Sequence, residues 1–145
     1  MKARIPQPKE LVLLYGLDET APRGVAVRQL LAALRLEART VTDEMLSQTV
    51  GWCAGLPGYP PQQEASCAAP AEEAMVLCGL NKSRLDELLK ALSENGISIS
   101  LKAVLTEHNR SWRFADLLTE LGREREAVKA QLRQKQAAQD EKQSV

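Results

Sequence analysis

The chain has 145 residues, 44% of them hydrophobic, which is enough for one domain with a sizeable core and more than a disulfide-dependent miniprotein needs. Nineteen Lys and Arg balance nineteen Asp and Glu, and this zero net charge argues against a domain held on nucleic acid by neutralising phosphates. One Phe, two Tyr and two Trp leave little for base stacking.

The opening stretch MKARIPQPKE lacks the apolar centre of a secretory signal, and no segment approaches the roughly 18 apolar residues of a membrane span. A cytoplasmic protein with no membrane partner is the expectation. Residues 1–10 carry two prolines and read as an extended arm. Leu11 to Tyr15 is an apolar run closed by Gly16, the length of a buried strand. Asp18, Glu19 and Thr20 lead into a helix with Pro22 in its first turn, and Val27, Leu30, Leu31 and Leu34 form its apolar stripe. Ala38 to Thr42 reads as a second strand, and Asp43 to Trp52 as a short helix opened by acidic residues.

Composition changes over residues 53–72. Cys53 to Ala71 holds four prolines and two glycines, which suit neither a helix nor a strand interior. A long surface loop is expected there, either a linker between two halves or a functional element. Met75 to Cys78, closed by Gly79, is the next strand. Ser83 then stands in an N-cap position, and Leu85, Leu88, Leu89 and Leu92 share one helical face. Asn95-Gly96 stops this helix, because glycine accepts the left-handed cap conformation without steric cost. Ile97 to Leu105 is extended. Either Asn109 or Ser111 is placed to cap a final helix with Phe114, Leu117, Leu118 and Leu121 on its buried face. Residues 123–145 form a charged tail, helical or disordered, where only Val128 and Leu132 continue the stripe.

The fold expected is α/β: one domain over residues 11–122, a small four-stranded sheet with helices, built from two βαβα halves at 11–52 and 73–122. VLLYGL (Val12 to Leu17) matches MVLCGL (Met75 to Leu80), and QLLAAL (Gln29 to Leu34) matches ELLKAL (Glu87 to Leu92), as an internal duplication would produce. A pseudo-two-fold between the halves would bring their first strands together at the centre. The alternative is a ferredoxin-like α+β sandwich.

The segment LKAVLTEHNRSWRFADLLTELGRE, Leu101 to Glu124, resembles the closing part of an uncharacterised bacterial domain-of-unknown-function family. An apolar strand is followed there by Thr106, Asn109 and a Trp112-led helix reaching Glu124. QTVGWCAGLPGY, Gln48 to Tyr59, is similar to a middle stretch of such proteins, which extends the likeness over Leu11 to Glu126. The resemblance implies a small α/β fold and brings no activity.

No catalytic group, cofactor site or metal-ligand set emerges. Cys53, Cys67 and Cys78 show no CxxC or Cys/His pattern with the lone His108 and read as reduced thiols. Glu107 and His108 lie beside Thr106 and Asn109 just past a strand end, but turn capping accounts for the Thr and Asn. Gly16 and Gly79 each follow a strand without a phosphate-loop pattern. In a parallel sheet both would lie at the carboxyl edge, where Gly16, Asp18, Gly79, Asn81, Lys82 and Thr106 would line a ligand site. The expected function is a non-catalytic cytoplasmic binding or interaction module, regulatory in character, with a homodimer or other protein as partner and no nucleic acid. A small-ligand sensor using the loops after Gly16 and Gly79 is the alternative, and a thiol-dependent enzyme using Cys53 or Cys67 stands behind both.

Overall fold

A computed structural model describes residues 10–63 and 72–143, with side chains described as far as residue 135. The expected positions 1–9 of the arm, the middle of the loop with Cys67, and the last two residues lie outside the described set. Strand β1 (Leu11–Tyr15) is followed by α1 (Pro22–Ala33), β2 (Glu37–Val41), a 3-10 turn (Asp43–Ser47) and the short α2 (Val50–Cys53). Then come β3 (Ala74–Cys78), α3 (Lys82–Glu94), β4 (Leu101–Val104) and α4 (Phe114–Gln143). The strands form one sheet in the order β2-β1-β3-β4. β1 runs parallel to β2 and β3 parallel to β4, while the central pair β1–β3 is antiparallel. The fold is therefore α/β with a mixed four-stranded sheet, and the first strands of the two halves do meet at its centre.

Strand alternation sorts the core into two layers. Val12, Leu14, Met75 and Leu77 face α1 and α3, meeting Val27, Leu31, Leu88 and Leu92. Leu11, Leu13, Tyr15, Val76 and Cys78 face the other way, against Val50, Phe114, Leu117 and Leu118. Helices thus cover both faces, unlike a two-layer ferredoxin-like sandwich. β1 and β3 are buried at every position because they are central and covered twice.

Several local readings shift. The N-cap of α3 is Asn81, whose Oδ1 accepts the Arg84 N–H at 2.8 Å, so the helix begins one residue before Ser83. Leu89 is exposed although it lies at helical spacing from buried Leu88 and Leu92, because α3 rests on the sheet by a narrow stripe. The stretch Asp43–Trp52 divides into a 3-10 turn and a separate short helix. The extended run at Ile97 keeps strand pairing only from Leu101. Ile97 is taken by the cap of α3, its N–H reaching the Leu92 carbonyl at 2.9 Å. α4 runs unbroken through Gly122 to Gln143.

The end of α1 repeats that cap with a residue less suited to it. The Leu36 N–H reaches the Leu31 carbonyl at 2.9 Å, and the intervening left-handed position is Arg35, at φ 58°. A side chain there costs about 1 kcal/mol that glycine avoids. Arg35→Gly is expected to raise the melting temperature slightly, with the entropy of the unfolded glycine offsetting part of the gain. A clear fall would show that the Arg35 side chain makes a stabilising contact.

Candidate functional site

A cleft of about 330 Å³ opens where β1 and β2 end, the carboxyl edge of a parallel strand pair. Gly16, at φ 75°, turns the chain there, and a β-carbon would sit 3.3 Å from the Glu73 Cα. The cleft wall carries Asp18, Thr40, Asp43 and Glu72. Asp18 accepts from both the Oγ1 and the N–H of Thr20, at 2.6 and 2.7 Å, and these bonds hold its carboxyl below the usual range. Tyr15 donates its hydroxyl to Asp43 Oδ1 at 2.9 Å. Burial first, then this bond, pushes the phenol up to about 12. Glu72 is paired with Arg125 of α4 at 3.2 Å. With the phenol protonated and Asp18 ionised at neutral pH, the cleft offers hydrogen-bond acceptors rather than a poised acid–base pair.

The other four expected ligand residues stand at the opposite edge. Because β1 and β3 are antiparallel, their carboxyl ends point apart, so Gly79, Asn81, Lys82 and Thr106 are separated from Gly16 and Asp18 by the length of the sheet. The side chains of Asn81 and Thr106 are also engaged locally. Asn81 caps α3. Thr106 and Asn109 bind each other: the Thr106 N–H donates to Asn109 Oδ1 at 2.9 Å, and the Asn109 N–H donates to Thr106 Oγ1 at 3.2 Å. Asn109 Nδ2 further donates to the Val104 carbonyl at 3.0 Å, so this side chain closes the end of β4 rather than capping α4. The first N–H of α4, on Phe114, donates instead to the Gln48 carbonyl at 2.8 Å. His108 rests edge-on against Trp112, with ring centroids 5.2 Å apart.

That Gln48 contact belongs to an interlock between the two halves. The Val50 N–H donates to the Trp112 carbonyl and the Gly51 N–H to the Arg110 carbonyl, both at 2.8 Å. The stretches Gln48 to Tyr59 and Leu101 to Glu124 therefore bind one another backbone to backbone. Gln48, buried, clamps Gln62 by receiving its N–H at 2.6 Å and donating to its carbonyl at 2.9 Å. Nothing in the sequence marks this glutamine, since its partner is backbone and carries no side-chain signature.

Cys53 and Cys78 are free and buried, and burial pushes both thiols up to about 12. Arg39 lowers them by a smaller amount. Both stay protonated at neutral pH, so neither is a nucleophile there. Native protein is expected to leave both unlabelled by a thiol reagent at pH 8, with labelling appearing in denaturant. Rapid native labelling of either would contradict the packing. The same shifts set an alkaline limit. An unfolded thiol ionises near pH 9 and a folded one near 12, so the unfolded chain binds fewer protons in that window and stability falls as pH rises through it.

Among the described residues, no group of three or more His, Cys, Asp or Glu is placed to hold a metal ion, and no helix is long and apolar enough to cross a membrane. Fold and site together define a small α/β domain with a polar cleft at one sheet edge and one long projecting helix. Residues 73–128 match the family described as Domain of unknown function (DUF3783), a span running from just before β3 into α4 and leaving out Gln48 to Tyr59. No curated protein and no solved structure matches the chain.

Proposed function

We propose that the protein is a non-catalytic cytoplasmic interaction module that associates with a second copy of itself through α4. The carrying observation is the exposure of Val128 and Leu132, 55% and 60%, on a helix whose first turns are buried through Phe114, Leu117 and Leu118. Val128 and Leu132 lie one turn apart, in line with partly buried Leu121, so the buried stripe continues into solvent without a cover. A 30-residue helix is about 45 Å long, far more than a strand of five residues needs as cover. Zero net charge removes the repulsion that would keep copies apart. The buried, protonated thiol of Cys53 weakens the reading of a thiol-dependent enzyme at that residue.

Light scattering on a sizing column tests this. The intact chain is expected to elute above monomer mass at high loading, and Val128→Glu with Leu132→Glu to return it to monomer at unchanged helical content. A variant that associates like the parent would reject α4 as the contact.

A second reading is a small-ligand sensor. It is favoured by the cleft at Gly16 and Asp18, which stands where ligands collect in α/β sheets. A thermal-shift screen with metabolites would support it through hits that are lost in Asp43→Ala.

A further inference from the structure

We infer that residues 10–53 are a second, diverged copy of the unit that begins at Glu73, docked on that unit through a self-complementary surface. The central register is the first sign. Leu13 pairs with Val76, the residue that the VLLYGL and MVLCGL match makes its counterpart, so the pairing is centred on equivalent positions.

Two reciprocal braces are the second. Arg23, at the start of α1, donates Nε to Glu73 just before β3 at 2.6 Å and reaches the Ser98 carbonyl beyond α3. Arg84, at the start of α3, donates Nε to Glu10 just before β1 at 2.9 Å and reaches the Leu34 carbonyl beyond α1, at 2.8 Å. Each half thus grips the other with the same residue types from the same places. Two unrelated βαβ units set back to back would share the topology, but nothing in that topology calls for a matched Arg and Glu on both sides.

Other features follow the same two-fold. α1 and α3 end in the same backbone cap, through Arg35 and Gly96. On the far face, the bridge between Thr49 and Arg113 joins the segments that follow β2 and β4. Burial also corrects the helical alignment: Val27 and Leu31 correspond to Leu88 and Leu92, a shift of three residues from the QLLAAL and ELLKAL match.

The surface formed by β3, Glu73 and Arg84 is, on this inference, one by which the unit accepts another copy of itself, and this chain supplies that copy in cis. The copies have since diverged. The first ends in a four-residue α2 and keeps an open cleft beside Asp43, whereas the second extends α4 and closes the matching strand end with Thr106 and Asn109.

The test uses charge-reversal cycles in the intact chain. Arg23→Glu with Glu73→Arg, and Arg84→Glu with Glu10→Arg, should each recover stability lost by the single changes. Each coupling is expected to be roughly two- to fivefold in the unfolding equilibrium at low salt. A second chain, with residues 10–53 replaced by 73–116, should melt cooperatively. Coupling in only one brace, or a replacement chain with no folded signal in circular dichroism, would overturn the inference.

Discussion

Replacing Phe114 with alanine is expected to destabilise the protein by about 3–5 kcal/mol, among the largest losses available to a single truncation. The ring is fully buried, with its centroid 6.3 Å from that of Tyr15, and it fills the layer where α4, the sheet and Val50 converge. It also opens α4, and its N–H is held by Gln48 of the other half. A cavity there cannot close by moving α4 alone, because the Gln48 bond and the neighbouring backbone pairs fix the helix start. Urea unfolding measures the loss, with Leu89→Ala as an exposed control expected to change little. A Phe114→Ala loss below about 1 kcal/mol would mean that α4 does not seat as described.

Gly24→Ala is the second large effect. An added β-carbon would lie 1.9 Å from the Asp18 carbonyl oxygen and 2.8 Å from its carbon. Both atoms are backbone, so no side chain can turn aside, and either α1 or the loop after Gly16 must move. The expected cost is about 3 kcal/mol or more, at the top of the range for overpacking, with a fall of roughly 10 °C in melting temperature. Because the displaced carbonyl belongs to Asp18, the cleft should distort too. Unchanged thermal stability would show that α1 sits farther from this loop.

How much of this could be read from the sequence depends on where each signal resides. β1 was legible to the residue because an unbroken apolar run ends in a glycine that must adopt positive φ. The stripes of α1 and α3 were legible from apolar residues recurring three and four positions apart, except at Leu89, where spacing specifies a direction but not how wide the contact is. Strand direction was not legible. The 19 residues from Cys53 to Ala71 can return the chain either way, and the antiparallel outcome placed the expected ligand residues at two edges instead of one. Asn81 was read as a ligand contact when its side chain caps a helix, a role that Ser83 could equally have filled from composition alone. The Thr106 and Asn109 pair was legible as turn chemistry, since their spacing suits exchange of backbone bonds. The continuation of α4 past Gly122 was legible as one of two states, helical or disordered, because the polar tail keeps only Val128 and Leu132 on the stripe and so shows little packing to decide between them.

Sedimentation equilibrium of the intact chain tests the central claim most directly. If α4 is a self-association element, the apparent mass should rise from that of one chain toward that of two over about a hundredfold increase in concentration, as mass action requires. An apparent mass that stays at one chain throughout would contradict self-association through α4.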